Sequence, residues 1–358
     1  MIYIIFASVT ALAISFLFMP LLITILQKGE LFDEGGKRKI HKGYVPTMGG
    51  IVIFIAFTFS ISAWLPVTPA FLIGAIFLIA LLGIRDDFVP TSPKQKLLVQ
   101  IIAASIIVFI SDVRIISFYG FLGIETIPDW FGCTISILFI VFITNAFNLI
   151  DGIDGLAGAI GIIGLSFFGA WFYFAGYHEY SIIAIVLAGS ILGFIYYNWH
   201  PASIFMGDTG SLIIGFVLSI CALWFFNSNA SLPDNSWLHF DAPFGLALGV
   251  LIFPVFDTVR TFILRVRQKK SPFMADRQHT HHHVLRMTKN HAIATIIITL
   301  TYVMILALTM ALARIVSDNI LIPAIVIFSI LLDMFIKNRL YGFLRKKIDR
   351  RKTVQTTQ

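Results

Sequence analysis

Residues 2–26 read IYIIFASVTALAISFLFMPLLITIL, a stretch without a single charged side chain. About 20 consecutive apolar residues are enough for a helix to cross the ~30 Å hydrocarbon core of a bilayer. Comparable apolar runs recur to the end of the chain, at about 48–66, 69–84, 97–112, 132–149, 156–175, 181–198, 209–227, 243–263, 293–313 and 318–336. The sequence therefore predicts about eleven membrane-spanning helices.

The composition agrees with this pattern. Of the 358 residues, 58% are hydrophobic and only 13% are charged, whereas soluble domains carry about 25% charged residues. This excludes a soluble protein and indicates an all-α, polytopic membrane protein. No basic segment precedes the first run, so we expect a retained helix rather than a signal peptide. We expect residues 1–336 to form one integral-membrane catalytic domain and residues 337–358 a basic cytoplasmic tail.

Basic residues are concentrated in alternate loops. They cluster in segments 27–47, 85–96 and 264–292 and in the tail, while the intervening loops hold only Arg114 and Arg314. Because basic loops stay in the cytoplasm, this pattern predicts an outside N-terminus and a cytoplasmic C-terminus. The net charge of +7 is thus a topology signal that also suits anionic lipid headgroups, and we expect no nucleic-acid partner.

Four polar segments break the apolar pattern, and all fall on the predicted cytoplasmic side. They read GIRDDF (83–88), NAFNLIDGIDGLAG (145–158), YNWHPASIFMGDTGS (197–211) and RQHTHHHV (277–284). The loops of the opposite face are short and carry no comparable motif. The sequence therefore predicts one site at the cytoplasmic membrane surface.

The carboxylates in these segments are candidates for a metal site. Asp86 and Asp87 stand at a helix end, where carboxylates left in lipid need a partner. Asp151 and Asp154 are three residues apart, and Asp208 opens a helix whose first N–H groups suit phosphate. A solvated helix cap and two Asp-Gly turns are the alternatives for the two pairs. Oxygen ligands favour Mg²⁺, with Mn²⁺ as the second choice.

Amides and basic groups accompany the carboxylates. The segments contain Asn145, Asn148 and Asn198, the basic residues Lys42, Lys94, Lys96 and Arg277, and the histidines His279, His281, His282 and His283. Zinc is the alternative for the histidines, but neither cysteine of the chain lies in these loops. Imidazoles beside a diphosphate act as hydrogen-bond donors, so we expect the histidines to bind phosphate. Together these groups are typical of a metal–diphosphate site with a lipid phosphate as one substrate.

In order and spacing, these motifs resemble the polyprenyl-phosphate N-acetylhexosamine-1-phosphate transferase family, and PTMGGI (46–51) resembles its N-terminal signature. The resemblance covers about residues 30–290. It implies a Mg²⁺-dependent helical bundle in the cell (inner) membrane, with a cytoplasmic cleft. Such enzymes transfer a sugar-1-phosphate from a UDP-N-acetylhexosamine to undecaprenyl phosphate and release UMP. For the oligomeric state, the candidate is a homodimer.

Within that family, SPFMADRQHTHHH (271–283) resembles the branch that transfers N-acetylglucosamine-1-phosphate. The three consecutive histidines are shared with the phospho-N-acetylmuramoyl-pentapeptide transferases, which are the runner-up. Charges at one face and no visible repeat disfavour a transporter, the remote alternative.

Motif chemistry and resemblance together divide the candidate residues into three groups. The catalytic group is Asp86, Asp87, Lys96, Asp151, Asp154, His281 and His282. The substrate-binding group is Asn145, Asn148, Asn198, Phe205, Lys94, Lys42, His279, His283 and Arg277. The metal group is Asp208 and Asp87. By resemblance, Phe205 stacks on uracil, and Asp151 and Asp154 lie on the nucleotide side of the cleft.

Overall fold

The computed structural model describes residues 2–28, 45–65, 70–269 and 279–356, without the side chains of residue 337 and residues 339–356. Within these ranges the chain is helical, and the one β-type pairing is an isolated bridge between Ser117 and Thr126. The predicted all-α class is confirmed. The predictions for Lys42 and Arg277 lie outside the described residues.

The helices follow the predicted apolar runs closely. In chain order they are α1 Ile2–Lys28, α2 Gly49–Trp64, α3 Ala70–Phe88, α4 Pro93–Ser105, α5 Asp129–Leu149, α6 Leu156–Phe174, α7 His178–Asn198, α8 Gly207–Ala230, α9 Pro243–Arg267, α10 Thr280–Thr288, α11 His291–Leu312 and α12 Asp318–Thr356. A π-helical turn, Ile106–Ile110, extends α4. The short helix α10 was not predicted, because its nine residues are mostly polar. Helix α12 runs without a break through the predicted domain boundary at residue 336.

In the described part of the chain, nine helical segments are long and apolar enough to cross a membrane. Helix α2 has only 16 residues, and α3 carries three charged residues in its last turn, so both fall short of these criteria. The fold is that of a multi-pass membrane protein, while the count of eleven crossings and their orientation stay predictions.

Helix α8 forms the centre of the bundle. Every residue in the most apolar 18-residue stretch of α8 is buried. In the corresponding stretches of α1 and α12, only 22% of the residues are buried. The outward side chains of these peripheral helices are large and apolar; Leu17, for example, is 68% exposed. Apolar outward faces match a lipid environment, which offers no partner for polar groups.

Two glycines allow α2 and α3 to contact the backbone of α8. A Cβ atom at Gly50 would collide with the backbone of Gly210, and one at Gly83 would collide with Thr209. A glycine permits such an approach because it has no side chain. The contacts bring the end of α3, one turn beyond Gly83, to the first turn of α8.

Candidate active site

One end of the bundle encloses a cavity of about 440 Å³. Helices α3, α5 and α7 end there, and α2, α6, α8 and α11 begin there. The cavity is lined by Thr47, Asp86, Asp87, Pro90, Asn148, Asp151, Gly152, Ile153, Asp154, Asn198, Phe205, Gly207, Asp208, Ser211 and His291. Five of these residues are aspartates, so three of the four polar segments meet in one acidic site.

Lys96 bridges two of these aspartates. Its Nζ lies 2.5 Å from Asp86 Oδ2 and 2.6 Å from Asp208 Oδ2. Ser92 and its capping box with Gln95 begin helix α4 just before Lys96. The N–H of Thr91 donates to Asp86 Oδ1 at 2.6 Å, and the Thr91 hydroxyl donates to the same oxygen. Asp86 is therefore held in place, and the ammonium offsets part of the negative charge of the site.

Asp87 caps the N-terminus of α8. Its Oδ1 accepts from the N–H of Asp208 at 2.7 Å, and its Oδ2 accepts from the N–H and the hydroxyl of Thr209 at 3.1 and 2.6 Å. The expectation that these N–H groups bind phosphate is thus wrong for residues 208 and 209, because Asp87 already occupies them. The role of Asp87 as a metal ligand stays a prediction.

Asp151 is the carboxylate most suited to a cation. Among the described residues, no side chain forms a hydrogen bond with its carboxylate. Burial, together with the negative charges of Asp208, Asp87 and Asp154, raises the pKa of Asp151 to about 7. An unpartnered carboxylate beside other carboxylates fits a hard divalent cation, which takes oxygen ligands.

Asp154 lies between two histidines that the sequence interpretation passed over. Its Oδ2 is 2.7 Å from His200 Nδ1, and its Oδ1 is 3.1 Å from His291 Nδ1. Burial acts to raise the pKa of Asp154, but the hydrogen bonds from His291 and His200 outweigh burial and lower it. Because the three groups lie within 4.8 Å of one another, they could also hold a metal ion.

The polar side chains around the cavity are largely committed to internal contacts. Asn148 Nδ2 donates to Ser211 Oγ at 2.9 Å. Asn198 accepts from the N–H of Gly155 at 2.9 Å and donates to the carbonyl of Ile204 at 2.8 Å, so it ties two loops together. Phe205 lines the cavity and is 39% exposed, as base stacking would require.

Asn145 and Lys94, which were predicted to bind substrate, are not in the cavity lining. Asn145 Nδ2 donates to Gln100 Oε1 at 2.6 Å and to the carbonyl of Val141 at 2.7 Å, so its amide joins α5 to α4. Lys94 is exposed on the first turn of α4, and because it lies two residues before Lys96 the two side chains point in different directions. The helical spacing of Asn145 and Asn148 did not reveal that Gln100 pairs with the first of them.

The histidines of segment 279–283 have different surroundings. His279 is buried and its Nδ1 lies 2.6 Å from Asp257 Oδ2, so it contacts α9 instead of lining the cavity. His281 lies against Gly152, where a Cβ atom would collide with its Nε2. Burial lowers the pKa of His281 to about 3, which leaves it neutral at pH 7. His282 and His283 are partly buried on the same short helix, and their phosphate contacts stay a prediction.

The sequence is similar to those of several known proteins. A sequence model of glycosyl transferase family 4 matches residues 69–226, which carry most of the cavity lining. The chain is 32% identical over 355 residues to a probable undecaprenyl-phosphate N-acetylglucosaminyl 1-phosphate transferase of Bacillus subtilis, covering 97% of this chain and 94% of that protein.

Two other relatives cover less of the chain. An undecaprenyl-phosphate alpha-N-acetylglucosaminyl 1-phosphate transferase of Salmonella typhimurium is 29% identical, over 80% of this chain and 78% of that protein. A phospho-N-acetylmuramoyl-pentapeptide-transferase of a Thermoanaerobacter species is 34% identical, over 71% of this chain and 85% of that protein.

Proposed function

The chain belongs to glycosyl transferase family 4, and we propose that it transfers N-acetylglucosamine-1-phosphate from UDP-N-acetylglucosamine to undecaprenyl phosphate, releasing UMP. The relative that spans nearly the whole chain carries an N-acetylglucosaminyl 1-phosphate transferase name. The muramoyl-pentapeptide relative spans a smaller part of the chain, which favours the N-acetylglucosamine substrate.

The observation that carries this proposal is the Lys96 ammonium shared by Asp86 and Asp208 in the acidic cavity. Phosphoryl transfer depends on positioning and on neutralising charge more than on covalent chemistry. A site with several carboxylates and a lysine can hold a divalent cation and contact phosphate oxygens. Both tasks arise when a diphosphate reacts with a lipid phosphate.

We propose that Asp208 and Asp151 hold a Mg²⁺ ion. Both carboxylates line the cavity, and Asp151 has no side-chain partner among the described residues. Oxygen donors suit Mg²⁺, which characteristically bridges protein carboxylates and substrate phosphates. When bound, such an ion supplies charge neutralisation to the diphosphate.

The reaction itself exchanges one phosphorus–oxygen bond for another. An oxygen of the lipid phosphate attacks the phosphorus next to the sugar, and the bond from that phosphorus to the UMP oxygen breaks. A phosphate monoester has a second pKa of about 6, so at neutral pH the nucleophile is already largely dianionic. Asp86, fixed by Thr91 and Lys96, then orients groups near the lipid phosphate instead of removing a proton.

We further propose that the cavity faces the cytoplasm from the inner membrane. The basic segment 85–96, the basic C-terminal end of α9 and the start of α11 lie at the same end of the bundle as the cavity. Basic loops stay on the cytoplasmic side of membrane proteins. In this orientation the water-soluble UDP-sugar enters from the cytoplasm, and the lipid phosphate reaches the site from the adjacent leaflet.

Purified protein in detergent, with undecaprenyl phosphate, Mg²⁺ and a panel of UDP-sugars, tests the proposal through UMP release. We expect UMP with UDP-N-acetylglucosamine and none when the lipid is omitted. Release only with UDP-N-acetylmuramoyl-pentapeptide would instead support the runner-up activity. Absence of UMP with every sugar would exclude the transferase.

A further inference from the structure

Helix α10 contains three of the clustered histidines, but its own sequence is poorly suited to form a helix. It has nine residues, and isolated helices of fewer than about 12 residues are marginal in water even for good helix formers. The first N–H groups of any helix need partners outside its own backbone ladder. The side chain of His279, the residue at the N-cap position, forms no cap hydrogen bond. The start of α10 therefore depends on a side chain from another element.

That side chain is Asp257 of α9. Its Oδ1 accepts from the N–H of Thr280, the first residue of α10, at 2.6 Å, and its Oδ2 lies 2.6 Å from His279 Nδ1. Asp257 is 1% exposed, so these hydrogen bonds are shielded from solvent. A carboxylate at a helix N-terminus also interacts favourably with the helix dipole. Asp257 thus supplies the cap that His279 does not provide.

The Asp257 carboxylate is itself held within the bundle. Arg260, one turn further along α9, places Nη1 3.8 Å from Asp257 Oδ1 and donates from the same nitrogen to the Thr280 hydroxyl at 3.4 Å. The Nε atom of Arg260 donates to Asp333 Oδ2 on α12 at 2.9 Å. The three charged side chains are buried, and buried charges require such partners. The network therefore joins the start of α10 to α9 and α12.

From this start, α10 extends to the active site. The ring of His279 stacks on the ring of His281, with centroids 5.5 Å apart and 12° between the planes. His281 is buried and lies against Gly152, in the loop that carries Asp151 and Asp154. Gly152 lines the cavity. A displacement of α10 would therefore remove a support of the loop that carries two of the site carboxylates.

We propose that Asp257 is a positioning residue that caps α10 and thereby holds His281 against the loop 151–154 of the active site. The inference rests on the proposed function. Asp257 is not in the cavity lining, so it acts through α10 without touching either substrate.

Amide hydrogen exchange of the purified protein in detergent, together with steady-state kinetics of UMP release, tests the inference. In Asp257→Ala, exchange of the α10 amides should accelerate about tenfold or more, because the helix loses hydrogen bonds to a charged group. The kcat/KM for UDP-N-acetylglucosamine should fall about tenfold, since small displacements of active-site groups have large kinetic effects.

A conservative variant separates the hydrogen bonds from the volume of the side chain. Asp257→Asn keeps an oxygen acceptor for the N–H of Thr280 and offers an N–H donor to a neutral His279. It should therefore retain most of the protection of α10 and most of the activity. His279→Ala leaves the charges of α9 and α12 in place and removes only the second hydrogen bond. Its α10 amides should also exchange faster, which tests the inference even if Asp257→Ala does not fold.

Asp318→Ala is the matched control, because Asp318 is also a buried aspartate that caps a helix. Its carboxylate accepts from the N–H groups of Phe244 and Gly245 at 3.3 and 2.6 Å, at the start of α9 and so at the end remote from α10. The exchange of α10 and the kcat/KM should stay within about twofold in this variant, because distant sites act independently.

Unchanged exchange of α10 in both Asp257→Ala and His279→Ala would overturn the inference. So would equal losses of α10 protection in Asp257→Ala and Asp318→Ala, an Asp257→Asn protein as impaired as Asp257→Ala, or normal kcat/KM after α10 has lost its protection. If the wild-type protein releases no UMP from any sugar, the proposed function fails. The exchange of α10 would still decide whether Asp257 caps this helix.

Discussion

The ammonium nitrogen of Lys96 lies 2.6 Å from Asp208 Oδ2, although 112 residues separate the two in the sequence. Lys96 belongs to the first turn of α4, and Asp208 to the first turn of α8. The same nitrogen also contacts Asp86, so one positive charge joins three helices around the cavity. Because like charges in a poorly solvated site repel, this ammonium stabilises the site and is well placed to contact substrate phosphate.

Lys96→Ala should reduce kcat/KM for UMP release by about a hundredfold or more, because removing one charge-stabilising donor from an active site has that typical cost. Lys94→Ala is the matched control, since Lys94 is exposed two residues earlier on the same helix. It should retain nearly full activity. Equal losses in the two variants would mean that the bridge has no special role.

Substitutions at Asp87 and Asp208 should have different effects, the first mainly on stability and the second mainly on activity. Asp87→Asn weakens a helix cap and should lower the free energy of unfolding by about 1–2 kcal/mol. Asp208→Asn should leave the melting temperature nearly unchanged, because its side chain does not cap α8, while abolishing most activity. Thermal unfolding in detergent and UMP release measure the two effects. A destabilised Asp208→Asn protein with a fully stable Asp87→Asn protein would reverse these assignments.

Gly152→Ala should displace His281, because the added methyl group would occupy the place of the His281 Nε2 atom. We expect at least about a tenfold loss of kcat/KM, since small displacements of active-site groups have large kinetic effects. Gly74→Ala is the control, because a Cβ atom there meets no other atom within 4 Å. Normal activity of Gly152→Ala would show that the position of His281 is unimportant for the reaction.

Divalent-cation affinity should increase with pH. Burial and neighbouring carboxylates raise the pKa of Asp151 to about 7, so the carboxyl is mostly protonated below that pH and cannot bind a cation. The Mg²⁺ concentration for half-maximal UMP release should therefore be about tenfold higher at about pH 6 than at about pH 8. In Asp151→Asn this dependence should flatten and the affinity should fall. An unaltered pH profile would remove Asp151 from the cation site.

Hydropathy predicted most of the fold. Long uncharged runs such as 2–26 are typical of membrane-spanning helices, because a helix satisfies its own backbone hydrogen bonds in lipid. The positions of the helices therefore follow from the positions of the apolar runs. Placing the four motifs at alternate helix ends then predicted one shared site, and the cavity contains residues from three of them. Helix α10 was not predicted, because its short polar sequence contains no apolar run long enough to cross a membrane.

Individual side-chain partners could not be predicted in the same way. Asp86 and Asp87 are adjacent, yet one contacts Lys96 and the other caps α8, because successive residues on a helix point in different directions. His200 lies within a quoted motif but was passed over, since its partner Asp154 is 46 residues away. The sequence did offer one signal for His200, a titratable residue next to the end of an apolar helix. The same signal marks His291, which begins α11.

The fate of the phosphorus next to the sugar tests the central claim most directly. UDP-N-acetylglucosamine labelled with radioactive phosphorus at that position should be incubated with the protein, Mg²⁺ and undecaprenyl phosphate, and the lipid then extracted. Transfer of N-acetylglucosamine-1-phosphate predicts that the label moves into the lipid fraction as UMP is released in equal amount. Label retained in water-soluble UDP, with the sugar alone in the lipid, would contradict the proposed reaction.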